Sequence, residues 1–320
     1  MRYRTLGTTG LTVSEVGFGA WGIGGTCGGA VAYGPTDDAE SKQALRRAVE
    51  LGVTFFDTSD LYGYGHSEEL IGEALHEVRA RIVIASKVGF LDQAGKQDFS
   101  PTHLRRALEG SLRRLRTDYV DLYQLHSPDV EQLRADGPEL DALRVLQREG
   151  KVRALGIAVR SPEDGLAAVG RLGFRAVQVN FNLVDQRALH NGLFDLCITT
   201  GAGIIVRTPL CFGFLTGEYA AEDFGPGDHR SRWSRAQRAR WADATERFAA
   251  IGSTDRRQTQ AQAALRFCLS YGAVASVIPG MLTRTHVEEN VAASHLGPLP
   301  APWRGSIEHL GAHEDFFVGR

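Results

Sequence analysis

Asp57 and Tyr62 lie in the run Thr54-Phe-Phe-Asp-Thr-Ser-Asp-Leu-Tyr-Gly63, Lys87 closes Arg81-Ile-Val-Ile-Ala-Ser-Lys87, and His126 closes Tyr119-Val-Asp-Leu-Tyr-Gln-Leu-His126. Each has an ordinary explanation by itself: a turn cap, a packing tyrosine, a surface lysine, a satisfied core histidine. Together they define a chemistry. A lysine that ends an apolar strand needs a counter-ion when buried, and Asp57 one strand over supplies it. An ammonium beside a phenol favours the phenolate and makes Tyr62 a better proton carrier. A histidine close by can hydrogen-bond a carbonyl oxygen and orient it. Proton donor, tuning cation, counter-ion and orienting group are what reduction of a carbonyl by an external hydride requires.

Such a set converges only if three successive β runs end on the same side, as the carboxyl ends of barrel strands do. The pattern predicts that. Residues 3–16 read as a hairpin around Gly7-Thr-Thr-Gly10, with arms Tyr3–Leu6 and Leu11–Val16. A strand-like run, Val16–Ala20, and a glycine-dense loop from Trp21 to Gly34 precede a helix capped by Asp37 or Asp38 and stopped by Gly52. Strands then alternate with helices: strand 54–57, a helix over 67–78 opened by Ser67, strand 82–87, helix 101–115 behind Ser100-Pro101, strand 119–126 and helix 139–149. The second half reads as strand 153–159, helix 162–171, strand 175–181, helix 190–200, strand 203–208, helices 235–250 and 257–271, strand 274–279 and helix 285–294. Eight β runs, each followed by a helix, predict a closed (β/α)8 TIM barrel with an N-terminal β-hairpin, forming one domain over residues 1–320. The longest irregular insertion, Gly217 to Ser234, follows the seventh strand, where a lid or substrate loop would sit; the tail from Ala301 carries one more short helix.

The bulk composition excludes several classes. A formal charge of −2 gives no electrostatic footprint for nucleic acid or an anionic membrane. The basic clusters Arg105–Arg106, Arg113–Arg116 and Arg230–Arg240 read as solvated helix faces. Cys27, Cys197, Cys211 and Cys268 lie far apart without a CxxC pair, so neither a disulfide framework nor a zinc knuckle is expected, and no metal site is. With no apolar leader and no apolar run of membrane-spanning length, a cytoplasmic protein is the expectation. Gly17-Phe-Gly-Ala-Trp-Gly22 matches G-x-G-x-x-G literally, but it runs into Ile23-Gly-Gly-Thr-Cys-Gly-Gly29, which cannot open a stable helix, so a Rossmann reading is rejected.

The runs Phe56-Asp-Thr-Ser-Asp-Leu-Tyr-Gly63, Ile84-Ala-Ser-Lys-Val88, Asp121-Leu-Tyr-Gln-Leu-His126, Gln178-Val-Asn180, Pro209-Leu210 and Ile278-Pro-Gly280 with Glu289-Asn290 resemble the aldo-keto reductase superfamily, in order and over nearly the whole chain. That resemblance implies a barrel that binds a nicotinamide cofactor without a Rossmann domain. It implies a catalytic tetrad of Asp57, Tyr62, Lys87 and His126, with Tyr62 protonating the oxygen of a small-molecule carbonyl substrate. It also implies a cofactor lying along Ala20, Trp21, Asp57 and Gln178, past Arg207, Pro209, Leu210 and Gly213, to Gly280, Thr283, Arg284, His286, Glu289 and Asn290.

Three departures bear on that cofactor. Gly156-Ile-Ala-Val159 replaces the family's common Gly-Val-Ser-Asn, so two polar groups expected at the carboxamide are missing and Gln178 is left. Arg207 stands where many members have a tyrosine to stack on the nicotinamide, and its planar guanidinium can stack instead. Leu282 occupies the place of a common basic residue, leaving Thr283, Arg284 and His286 to hold a 2′-phosphate. NADPH is the expected cofactor, with NADH the alternative. The function expected is reduction of aldehydes, ketones or sugar-derived carbonyls; a cofactor-binding regulatory subunit like the potassium-channel β subunits, or a nucleotide-sugar enone reductase, are the alternatives.

Overall fold

In the computed structural model, which describes residues 1–220, 224–225, 227–251 and 258–318, β1 (Tyr3–Thr5) and β2 (Thr12–Ser14) pair antiparallel as the predicted hairpin. Eight further strands follow: β3 (Phe18–Gly19), β4 (Phe55–Asp57), β5 (Val83–Val88), β6 (Val120–His126), β7 (Val152–Ala158), β8 (Ala176–Asn180), β9 (Gly203–Arg207) and β10 (Val274–Val277). They hydrogen-bond in chain order, each parallel to the next. Parallel bridges Val16–Val277 and Gly19–Gly280 join the first strand region to the last. The sheet therefore closes into the expected (β/α)8 barrel, in which no central strand keeps a free edge.

Helices α1 (Asp38–Glu50), α2 (His66–Leu75), α3 (Pro101–Leu115), α4 (Pro138–Arg148), α5 (Pro162–Gly170), α6 (Arg187–His190), α7 (Leu193–Thr200), α8 (Arg235–Ile251), α9 (Gln260–Leu269), α10 (Arg284–Leu296) and α11 (Ala301–His313) connect and follow the strands. Their starts obey capping chemistry: the side chains of Asp37, Ser100 and Ser161 accept the N–H of Glu40, His103 and Asp164, and a proline follows both serine caps. The core has two layers. Outward strand residues pack beneath the helices. Inside the barrel, small side chains such as Ala85, Ala154, Ala176 and Ala275 leave room for Leu6, Leu11 and Val13, which the hairpin inserts as a plug.

Several expected boundaries shift. The helix predicted from Ser67 starts at His66 behind Gly65, without a side-chain cap, and turns into a 3-10 segment, His76–Arg81. The Ser67 hydroxyl instead donates to the Ala20 carbonyl at 2.7 Å. The helix expected over 190–200 starts only at Leu193 as α7, behind the separate turn α6, because Gly192 takes φ 88°, a left-handed conformation that interrupts the ladder. The helix predicted over 257–271 is seen as α9 behind a Thr259 capping box; its expected first residue, Arg257, lies outside the described residues. Residues 221–223 and 226 of the insertion also lie outside them, but His229–Arg232 forms a short 3-10 turn where only irregular chain was expected. Nor is Arg230–Arg240 a solvated face throughout. Arg230 and Arg238 are buried, because Arg230 pairs with Asp228 at 2.6 Å and Arg238 donates to the Trp233 carbonyl at 2.8 Å.

Candidate active site

Parallel strands closing in register place their carboxyl ends together, and the four residues singled out in the sequence meet there. Asp57 ends β4, Lys87 lies one residue from the end of β5, and His126 ends β6. Tyr62 opens the 3-10 turn Tyr62–Gly65 that follows β4. Two glycines set that turn. Gly63 adopts φ 58°, and a Cβ there would lie 2.4 Å from the Gly24 carbonyl oxygen; a Cβ on Gly24 would in turn sit 2.9 Å from Gly63 N. Only bare backbones can approach this closely, and the approach holds Tyr62 over the barrel mouth.

Lys87 has no exposed surface and Asp57 almost none. The Lys87 ammonium donates to Asp57 Oδ1, to the Thr58 carbonyl at 2.9 Å and to the Tyr62 hydroxyl at 3.0 Å. Burial acts to lower the ammonium's pKa, but Asp57 and Tyr62 outweigh it and hold it above the ordinary value, so Lys87 remains charged. The other Asp57 oxygen accepts from Gln124 Nε2 at 3.0 Å and Gln178 Nε2 at 2.8 Å. The buried carboxylate is thereby satisfied on both oxygens. His126 packs edge-on against Phe90 at 4.8 Å and Tyr62 at 6.0 Å between ring centroids. Burial, then the charges of Lys87 and Arg207, push its pKa well below the ordinary value, so the imidazole is neutral at working pH.

These groups open onto a cavity of about 430 Å³. Asp57, Tyr62 and His126 line one end; Ala20, Trp21, Gln178 and Arg207 line its side, followed by Pro209, Leu210 and Gly213; Gly280, His286, Glu289 and Asn290 reach its wall near the start of α10. Thirteen positions expected at the cofactor apart from Asp57 are thus not equally placed. Thr283 and Arg284 are off the wall: the Thr283 hydroxyl caps α10 through the His286 amide, and Arg284 is exposed. Gln178 is on the wall, yet its amide nitrogen is committed to Asp57 and, at 3.3 Å, to Gln124. Arg207 is held flat, Nε on Asn180 Oδ1 at 2.7 Å and a terminal nitrogen on the Val159 carbonyl at 2.8 Å.

Sequence reasoning missed Gln124 as a partner of Asp57. The signal was present, since Gln124 and His126 are two apart on one strand and share its inward face. It also missed the roof. Trp21 and Tyr33 from the glycine-rich loop close around His229 from the insertion, with centroids 4.7 and 5.3 Å away, and the His229 amide donates to the Ala32 carbonyl at 2.8 Å. Contacts between residues that lie 196 and 208 positions apart leave no local pattern.

The Aldo/keto reductase family model matches residues 15–310, and the chain belongs to this family of oxidoreductases, whose members use nicotinamide cofactors. Aldo-keto reductase YhdN of Bacillus subtilis is 35% identical over 237 residues, covering 71% of this chain and 68% of that protein. A probable voltage-gated potassium channel subunit beta of Oryza sativa is 29% identical, with 94% of each chain covered. Among solved structures, the glycerol dehydrogenase AKR11B4 from Gluconobacter oxydans superposes with a TM-score of 0.80 at 27% identity, covering 99% of this chain and 97% of that one.

Proposed function

We propose that this protein is an NADPH-dependent reductase of aldehydes, ketones or open-chain sugars in the cytoplasm. The observation that carries the reading is the Lys87 ammonium, fully buried and shared between Asp57 and the Tyr62 hydroxyl at the wall of the cavity. A cation sequestered there has no structural need that an apolar side chain would not meet at lower desolvation cost. It does have a chemical use.

The donor set fits a dinucleotide. Arg207 offers a flat guanidinium beside Tyr62, Pro209 and Leu210 offer an apolar wall, and the amino end of α10 offers the partial positive charge that suits a phosphate. Exposed Arg284 opens that helix just off the cavity wall, and its charge beside the His286 that lines the wall is the support for NADPH over NADH. A bound reduced nicotinamide supplies the hydride that the carbonyl carbon receives. Tyr62 gives its proton to the carbonyl oxygen, Lys87 stabilises the phenolate that remains, and Asp57 holds Lys87 in place. His126, being neutral, orients the oxygen by a hydrogen bond without competing for the proton.

The decisive assay follows reduced-nicotinamide absorbance with NADPH and NADH in parallel over a panel of aldehydes, ketones and sugars, with Tyr62→Phe beside the parent. Removal of the proton donor is expected to lower turnover by at least about 100-fold while cofactor binding persists. Equal turnover by parent and variant would refute the role of Tyr62, and tight cofactor binding without turnover on any substrate would favour a regulatory subunit. Arg284→Ala is expected to weaken NADPH and spare NADH; equal effects would place the phosphate elsewhere.

A further inference from the structure

Linked to His126 through Ser59, and not among the residues that line the cavity, stands a second carboxylate, Asp60, that the tetrad does not use. Ser59 Oγ lies 3.2 Å from His126 Nδ1 and 3.2 Å from Asp60 Oδ1, and it also accepts the Leu61 N–H at 3.2 Å. A serine hydroxyl has one proton to give and two lone pairs. The Leu61 amide takes one lone pair, so Ser59 must donate to one of its two remaining neighbours and accept from the other. A neutral imidazole carries one N–H, and Nδ1 is occupied with Ser59, which leaves Nε2 for the cavity that His126 lines.

We propose that Asp60 and Ser59 form a relay that sets the tautomer of His126. With Asp60 protonated, its O–H donates to Ser59, the Ser59 O–H donates to Nδ1, and the histidine proton sits on Nε2, where it can donate to a carbonyl oxygen. With Asp60 ionised, Ser59 turns its proton to the carboxylate and accepts from Nδ1–H, and Nε2 becomes an acceptor only. The two states differ by one proton, which leaves to water from Nε2 as the Asp60 and Ser59 protons each move one place along the chain. Asp60 and Ser59 are positioning residues in this account, because neither lines the cavity.

The surroundings poise the switch near neutrality. Burial, and then the neighbouring Glu68 carboxylate, push the Asp60 carboxyl up to about 7, against Ser59, Arg114 and the Leu61 amide. The Tyr123 phenol of β6 also faces this carboxylate, and burial first, then Asp60 and Glu68, hold it protonated. Around the imidazole stand Lys87 and Arg207, whose charges oppose a second proton on the ring, and the Tyr62 ring. The group that titrates is therefore Asp60, and His126 changes tautomer without changing charge.

The effect on turnover rests on the reductase reading; the tautomer does not, so it is read without substrate. Two-bond 1H–15N NMR on the full chain distinguishes Nε2–H from Nδ1–H. The parent is expected to show Nε2–H about one unit below neutrality and a growing Nδ1–H population about one unit above it. Asp60→Asn, whose amide donates to Ser59 at every pH, is expected to keep Nε2–H throughout, and Ser59→Ala to abolish the pH dependence. In turnover, the parent is expected to lose up to about 100-fold above neutrality as the donor at the oxygen disappears. Asp60→Asn is expected to hold its rate there, with the KM for cofactor unchanged. A parent whose tautomer does not move with pH, or one that moves identically in Asp60→Asn, overturns the relay. A tautomer switch with no turnover on any substrate keeps the relay and refutes the reductase.

Discussion

Lys87 carries a full charge with no exposed surface, and what keeps it there is the set of three oxygens around its ammonium. Removing it leaves Asp57 with two amide donors but no cation. Lys87→Met is therefore expected to cost about 3 kcal/mol in denaturant unfolding as well as nearly all turnover. A variant as stable as the parent would mean that Gln124 and Gln178 suffice to hold the carboxylate. Asp60 has a measurable signature in stability too. Its carboxyl titrates near 7 in the folded chain and in the ordinary carboxylate range when unfolded, so between those values the unfolded state releases a proton that the folded state keeps. Folding stability is fully present below the unfolded value and falls as pH rises toward about 7. Asp60→Asn lacks this loss, so its thermal midpoint relative to the parent is expected to climb between acid and neutral pH. A constant difference across that interval would show that Asp60 ionises normally. At this scale the meeting of Asp57, Tyr62, Lys87 and His126 was legible because each lies at or next to the end of a recognisable strand or in the turn that follows it. The place of Gln124 on the inward face was legible but its partner was not, and the role of Ser59 was not, because an amide or a hydroxyl gains meaning only from the group it faces.

Elements position these groups through contacts that span the barrel mouth. In the glycine-rich loop it is Gly24 that approaches another backbone, meeting Gly63 beneath Tyr62. Gly63→Val combines a left-handed φ with a clash against the Gly24 carbonyl, so it is expected to displace Tyr62, lowering turnover by more than about 10-fold. Retention of full activity would show that the turn can be set without this contact. On the other side of the mouth, Arg230 clasps Asp228 and stacks over Tyr219 and Phe224 at 4.3 and 4.2 Å. Arg230 also lies 5.1 Å from the Tyr33 ring centroid and Asp228 bridges to Ala32 and Tyr33, which fastens the segment that carries His229 to the loop that carries Trp21 and Tyr33. Arg230→Ala leaves Asp228 buried without its cation, and faster hydrogen exchange at the His229 amide is the expected readout; unchanged exchange would place the anchoring in the aromatic contacts alone. Burial of Arg230 contradicted the charge pattern because the helical spacing of basic residues says which side chains share a face, not which of them meets an acid and two rings from the same loop.

The whole molecule is a barrel whose interior depends on its first fifteen residues. Leu6 and Val13 have no exposed surface and pack among alanines contributed by four strands, so the hairpin closes the end opposite the cavity. Leu6→Ala would leave a void walled by backbone that cannot collapse, with a cost of about 3 kcal/mol and little change in turnover per folded molecule. A loss below about 1 kcal/mol would mean that the hairpin is dispensable to the core. The eight-fold alternation, the hairpin and the family were all determined by the sequence, because apolar periodicity, caps and glycine stops are local and the strand ends carry their own ionisable groups. Closure of the sheet through Val16 and Gly19, the two amides on Asp57, the tie between Ser59, Asp60 and His126, and the roof built by His229 were decided by the tertiary structure. Each joins residues whose separation along the chain leaves no periodic trace, and whose energy of interaction exists only once the strands have brought them within hydrogen-bonding distance.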